Sequence, residues 1–268
     1  MSLSEADISK AANDLLNAEK TLEQIGLLTL RHPSLDMDGA YAIQKELARA
    51  KLAEGRKIIG WKIGLTSKAM QDALKIDIPD SGVLFDNMLF ETGATVPKGR
   101  FIQPRIEAEI AFVMKASLGG ANVTREDVLA ATDHVCPSLE ILDTRIQRVD
   151  PETGQARKIF DTIADNAANA GLVLGNEKHD PGAIDLRWAG AIVTRNGEVE
   201  ETGLGAGVLN DPVESVVWLA RRMADYGQTI EAGQIILSGS FIRPVECPSG
   251  SKVHADFGPF GSVSCSFA

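Results

Sequence analysis

The sequence is short of several common devices. Its three cysteines, Cys136, Cys247 and Cys265, are odd in number and show no CxxC spacing. That gives no sign of a zinc site or a disulfide framework and suits a reducing compartment. No apolar run approaches the roughly 18 residues that a membrane span needs. The start, MSLSEADISKAANDL, has no basic segment followed by an apolar run, so it does not read as a signal peptide. Positive charge is scarce: 27 Lys and Arg stand against 37 Asp and Glu, a net charge of −10. A phosphate backbone is therefore repelled. The four histidines, His32, His134, His179 and His254, show no HxH or HExxH spacing. There is no G-x-S-x-G elbow, phosphate-binding loop or Rossmann fingerprint, and no internal repeat or low-complexity tract. These absences predict a soluble cytoplasmic protein without a nucleic-acid or membrane partner. An acidic protein with an anionic substrate needs local positive charge at its site, which turns attention to a metal cation or to particular Lys and Arg residues.

What is present is ordinary globular sequence. The 268 residues, 44% hydrophobic and 24% charged, fit one large domain or one domain with a small appendage, and can bury a core without disulfides. The first part reads helical. Ile8, Ala11, Leu15, Leu22 and Ile25 follow much of an i, i+3/i+4/i+7 spacing, with Ser4 as N-cap. A second helix is expected from about Asp38 to Glu54, with Gly55 at the left-handed position after it. Beyond Gly55, KIIGWKIG, GVLFDNMLF, RIEAEIAFVM, AGLVLG, LRWAGAIVTR, GEVEET, QIILSGSFI and SVSCSFA have strand character. Asn196-Gly197 is a two-residue hairpin signal. Residues 124–133 form a short helix candidate. Asp211, Pro212 and Glu214 open a clear helix that Gly227 ends. Strands and helices do not alternate regularly, so the reading is α+β: a mixed β-sheet core behind a helical N-terminal segment, divided at residues 1–58 and 59–268.

The segment Arg105–Met114 carries the chemistry. Alternate residues on a strand share a face. Ile106, Ala108, Ile110 and Phe112 make an apolar face, while Glu107, Glu109, Ala111 and Val113 make the other. Two carboxylates thus point the same way at the mouth of a surface that turns apolar. They repel and resist desolvation, and a hard divalent cation removes both costs. Taken alone, this segment fits a solvated edge strand with surface glutamates better. Glu140 shifts the balance. It lies in CPSLEILD between Leu139 and Ile141, where a lone acid wants a partner. Three carboxylates leave room for water and substrate oxygens, as Mg²⁺ or Mn²⁺ prefers. Sequence does not show that the three meet.

Lys62, between Trp61 and Ile63, sits in a run that otherwise looks buried. A desolvated lysine near a metal is expected to have a depressed pKa and to exchange protons or polarise a carbonyl. Taken alone, the residue fits a lysine with a covered stem and a head in water better. The small-residue loop Leu237–Phe241, with Ser240 in it, lets a backbone approach an anionic ligand or is only a bend.

GWKIGLTSKAMQ, PRIEAEIAFV, SLEILDTR, KIFDTIADNAANAG, RNGEVEETG, AGVLNDP, EAGQIILSGSFIRP and the terminal GSVSCSF occur in order. On these motifs the chain resembles the hydratase/decarboxylase branch of the fumarylacetoacetate hydrolase superfamily, from about Leu15 to Phe267. The resemblance implies the β-rich core of that superfamily, Mg²⁺ or Mn²⁺, a homo-oligomer built from dimers, and hydration of a small 2-oxo dicarboxylate in meta-cleavage catabolism of aromatic compounds. It assigns Glu107, Glu109 and Glu140 to the metal, and Lys62 and Asp80 to catalysis. Residues 147–161 resemble the seven-carbon hydratases, and there Arg157 and Lys158 either pair with a second substrate carboxylate or form a solvated basic pair. Open alternatives are decarboxylation of a six-carbon diacid, hydration of a five-carbon monoacid, carbon–carbon bond hydrolysis using His32, and a non-catalytic partner subunit.

Overall fold

In the computed structural model, which describes residues 3–68, 71–72 and 78–268, the first helix is Glu5–Thr21. Ser4 caps it by accepting from the Asp7 N–H. It stops short of Ile25, contrary to the apolar spacing. Leu22 turns left-handed, with φ of 62°, and the chain leaves in an extended path. The Ile25 N–H then donates to Arg145, and the Gln147 N–H donates back to Ile25. A partner distant in sequence has outcompeted the next helical turn. Short and long helices follow at Leu28–Arg31 and Met37–Ala53, the latter capped by Asp36. Gly55 is left-handed, as its position after the helix predicts. Within the GWKIGLTSKAMQ motif, Ala69 and Met70 lie outside the described residues.

Two sheets follow. The larger runs in the order β2 (Asp80–Phe85), β1 (Ile58–Gly64), β10 (Ile235–Leu237), β5 (Arg105–Met114), β6 (Thr132–Leu142), β7 (Asn169–Leu174) and β3 (Leu89–Glu91). A two-residue strand, β11 (Val245–Glu246), also pairs with β5. The smaller sheet runs β4 (Ala94–Val96), β13 (Ser262–Phe267), β12 (Lys252–Asp256), β8 (Gly190–Arg195) and β9 (Glu198–Leu204). Parallel and antiparallel neighbours mix in the larger sheet, β1 and β10 being parallel and β10, β5, β6 and β7 successively antiparallel. The fold is therefore α+β, as expected. Asn196-Gly197 joins β8 to β9, both residues at positive φ.

The alternation read along β5 is the alternation of the core. Ile106, Ala108, Ile110 and Phe112 join the apolar core that also holds the helix Pro212–Ala224. Ala111 and Val113, on the other face, pack with Val83, Phe85, Leu172 and Leu237. β5 is flanked on both sides, so a solvated edge strand is excluded. A third cluster joins the N-terminal helices to Ile146, Ile163 and Ala164. Asp161 ties the same units together: its carboxylate accepts from the Thr29 N–H and hydroxyl at 2.9 and 2.7 Å.

The smaller sheet touches the larger where β9 meets the loop after β10. A Cβ on Gly203 would lie 1.9 Å from the Phe241 carbonyl oxygen. Backbone, not a movable side-chain end, blocks that space. Gly203→Ala should therefore destabilise the fold by about 2–4 kcal/mol. Thermal unfolding checks this, and wild-type stability in the variant would refute the close approach.

Candidate active site

The register between β5 and β6 sets Glu107 directly opposite Glu140, with Glu109 opposite Ser138. Side chains directly opposite on antiparallel strands stand about 5 Å apart at Cβ. One carboxylate oxygen from each of Glu107, Glu109 and Glu140 lies within 4.8 Å of the others. Glu109 and Glu140 are fully buried, and Glu107 keeps partial exposure. At that spacing each like-charged pair repels by roughly 3 kcal/mol, taking an effective dielectric of about 20. The energetic problem inferred from β5 alone is thus present in space, with the third acid added.

Lys62 and Asp80 reach the same place from β1 and β2. Lys62 is 3% exposed. Its Nζ lies 3.4 Å from Glu140 Oε1 and donates to the Ala167 carbonyl at 3.1 Å. Gly64 pairs with Asp80 across β1 and β2. A Cβ at Gly64 would stand 2.3 Å from Asp80 Oδ1 and 3.0 Å from Lys62 Nζ. Glycine there lets the acid and the ammonium share one space.

Two further groups hold the carboxylates. The Gly239 N–H donates to Glu109 Oε2 at 2.8 Å, and the Asn169 amide donates to Glu140 Oε1 at 2.7 Å. Asn169 follows a turn in which Asn166, Ala167 and Ala168 all have φ between 52° and 57°. Such backbone is costly for residues with a Cβ. The Asn166 side chain locks it by donating to the Val83 carbonyl and accepting from the Val83 N–H. Beneath lies a buried ion pair. Arg145 Nε donates to Asp165 Oδ1 at 2.6 Å, and another arm donates to the Asn169 carbonyl at 3.2 Å.

The remaining candidates make no hydrogen bond or ion pair with the three glutamates. Arg157 donates to the Thr144 hydroxyl at 2.7 Å, and its charge reaches Asp80. Lys158 is exposed at the start of the helix Ile159–Ala164. The Ser240 hydroxyl is engaged with the backbone of Ile242. His32 closes the short helix Leu28–Arg31, and its charge bears on Asp7. Asn169, Arg145 and Asp165 were not singled out individually from sequence, although the KIFDTIADNAANAG motif holds two of them.

Titration follows from this crowding. Burial, then Glu140, pushes the Glu107 carboxyl up to about 8. Burial, Glu140 and Glu107 push Glu109 well above the usual carboxylate range. Asp80 is raised by burial more than Lys62 lowers it. Lys62 corrects the expectation of a depressed amine. Burial does lower it, but Glu140, Asp80, Glu107 and Glu109 together outweigh burial and hold it charged above its ordinary value.

The residues fit a hard divalent cation. Glu109 Oε1 and Glu140 Oε2 are buried and have no hydrogen-bond partner, which is rare unless another ligand takes the lone pairs. The three groups that converge all offer carboxylate oxygens, the donor type such a cation selects. Among the described residues no other group of three or more potential ligands comes together in this way.

The chain has relatives and a solved structural neighbour over nearly its whole length. No family model matches the chain. It is 52% identical over 256 residues to 2-oxo-hept-4-ene-1,7-dioate hydratase of Escherichia coli, covering 96% of both chains. It is 38% identical over 258 residues to 2-keto-4-pentenoate hydratase of Paraburkholderia xenovorans strain LB400, covering 96% of this chain and 94% of the other. The structure superposes with a TM-score of 0.93 on 4-oxalocrotonate decarboxylase from Pseudomonas putida G7 complexed with magnesium and adipate, at 34% identity and covering 100% and 99% of the two chains.

Because the Glu107 carboxyl is raised from 4.5 to about 8 in the folded chain, the fold binds more protons there than the unfolded chain does. Its contribution to stability is full below 4.5 and is lost as pH rises through about 8. Metal-free protein should therefore melt at progressively lower temperature across that window. Added Mg²⁺ should restore the loss, and Glu107→Gln should flatten the metal-free profile while reducing the gain from Mg²⁺. Thermal unfolding with chelator and with Mg²⁺ measures all three, and an identical gain in the variant would remove Glu107 from the metal site.

Proposed function

The chain belongs to the hydratase/decarboxylase branch of the fumarylacetoacetate hydrolase superfamily, and from that premise we propose that it hydrates a 2-oxo-heptenedioate to 4-hydroxy-2-oxoheptanedioate in aromatic catabolism. One observation carries the reading. Three glutamates, two of them fully buried, converge with Lys62 and Asp80 in a chain 52% identical to a hydratase of a seven-carbon diacid.

Glu107, Glu109 and Glu140 would hold Mg²⁺ or Mn²⁺, which when bound supplies Lewis acidity toward the C2 carbonyl. The chain's own residues do the rest. Lys62 stays protonated among the acids and stabilises negative charge that grows on the C2 oxygen. Asp80, held at the raised end of the carboxylate range, takes and returns a proton at C3. A substrate with its double bond at C4 first loses a proton from C3 and gains one at C5, bringing the double bond into conjugation. Water then adds at C4 and a proton at C3, a net gain of one water. The Gly239 N–H keeps Glu109 oriented, and Asn169 keeps Glu140 oriented, so the carboxylates need not reorganise. Arg157, with Lys158 beside it in the chain, belongs to the side of the site where the second substrate carboxylate would lie, and the 238–240 loop with Ser240 borders the substrate.

No described helix is long and apolar enough to cross a membrane. A cytoplasmic homo-oligomer built from dimers, and the division at residues 1–58 and 59–268, belong to the same proposal.

Metal-stripped protein incubated with 2-oxohept-3-enedioate should lose the enone absorbance only when Mg²⁺ is added, and the product should be heavier by one water. Loss of CO₂ instead would move the chain to decarboxylation at the same site, the activity named for the solved structure it superposes on. Lys62→Ala should lower turnover at least about a hundredfold while leaving Mg²⁺ binding largely intact. Unchanged turnover in that variant would exclude Lys62 from the mechanism.

A further inference from the structure

The face of β5 that carries Glu107 and Glu109 begins one strand repeat earlier, at Arg105. Two residues of strand span roughly 7 Å, so the Arg105 side chain leaves the sheet on the same face as the acids. Two more guanidinium groups come close. Burial first, then Arg105 and Arg157, hold Arg148 below the ordinary guanidinium range. Burial also lowers Arg157, with Arg145 and Arg105 among the charges opposing it.

The acids near this cluster are mostly committed to other partners. Glu246, opposite Arg105 in the β5–β11 register, offers one oxygen to both arginines, at 2.6 Å from Arg105 and 3.5 Å from Arg148. Its side chain is 63% exposed. Asp143 is committed to the backbone N–H groups of Ile102 and Gln103, and Asp165 is committed to Arg145. The Nε atoms of Arg105 and Arg148 are both buried without a hydrogen-bond partner. Guanidinium groups crowded together with donors unused are unfavourable unless an anion joins them. A cleft of about 520 Å³, lined in part by Gln103, Pro104, Arg148 and Glu246, gives an anion room to arrive.

The substrates in the names of two relatives differ in their number of carboxylates. The 52% identical hydratase is named for a 1,7-dioate, and the 38% identical one for a pentenoate with a single carboxylate. We propose that Arg105 and Arg148, backed by Arg157, bind the far carboxylate of a dicarboxylate substrate, with Glu246 occupying their donors until it arrives. This rests on the hydratase reading above and names the residues that set its preference for diacids. A planar guanidinium fork suits a carboxylate, and two forks from different strands fix its position.

The Mg²⁺-loaded full chain should be titrated calorimetrically with adipate and with hexanoate, which differ only in the second carboxylate. Adipate should bind at least about tenfold more tightly. Arg148→Gln should reduce that ratio about ten- to a hundredfold, and the kcat/KM ratio of 2-oxohept-3-enedioate to the matching monoacid should fall in step. Glu246→Gln frees the guanidinium donors and should tighten adipate but not hexanoate. An unchanged adipate-to-hexanoate ratio in a folded Arg148→Gln protein overturns the proposal. If Arg148→Gln does not fold, adipate affinity that is unchanged or weaker in Glu246→Gln overturns it. Absence of hydration by the wild type would instead sink the functional reading, and the adipate titration still decides the subsite.

Discussion

The arrangement depends on one unfavourable interaction: three carboxylates forced together by the register of two central strands. Sliding β6 by one residue would send Glu140 to the opposite face. The register cannot slide, because both faces of β5 are buried in apolar cores. Hydrophobic packing of Ile106, Ala108, Ile110 and Phe112 on one side therefore holds Glu107 and Glu109 against Glu140 on the other. The fold supplies the energy, and the site stores it as repulsion that a bound cation would relieve.

Around this repulsion every neighbour has a definite task. Lys62 brings one positive charge from β1, too little to balance Glu107, Glu109, Glu140 and Asp80. Asn169 and Gly239 fix single oxygens of Glu140 and Glu109, leaving the other oxygen of each free. The support continues outward. Arg145 grips the backbone at Asp165 and Asn169, and the strand-like stretch at Ile25 is bonded to residues 145 and 147. Breaking a buried pair such as Arg145–Asp165 typically costs about 3–5 kcal/mol. The N-terminal helices thus brace the site through this pair's surroundings rather than through direct contact with the carboxylates.

Much of this was legible in the sequence where the signal was local. The two-residue alternation of β5, the caps at Ser4 and Asp211 and the hairpin at Asn196-Gly197 each depend on neighbours a few residues away, and each is found. Local pattern failed at Leu22, where a partner more than a hundred residues distant ended the helix early. It failed again for the charge state of Lys62. Burial alone argues for a depressed amine, but the sign is set by four acids from three other strands, and their sum exists only in the folded chain. Glu140 illustrates the boundary. Its apolar flanks announced that it needs a partner, while the register that supplies Glu107 is a property of two strands together. Asn169 and Arg145 carried no individual signal, since an amide and an arginine in a polar stretch look like surface.

The left-handed turn at Asn166, Ala167 and Ala168 also limits how this chain can drift. It aims a carbonyl at Lys62, while on its other side Gly82 leaves no room: a Cβ there would stand 2.6 Å from the Asn166 carbonyl oxygen. Glycine could replace either alanine without steric cost, yet it would loosen the aim of that carbonyl. Valine, isoleucine or threonine would clash with the backbone itself. Ancestral and descendant sequences of this chain should therefore move through a narrow corridor of small residues at 82, 167 and 168, even though none of them carries a charge or touches the reaction.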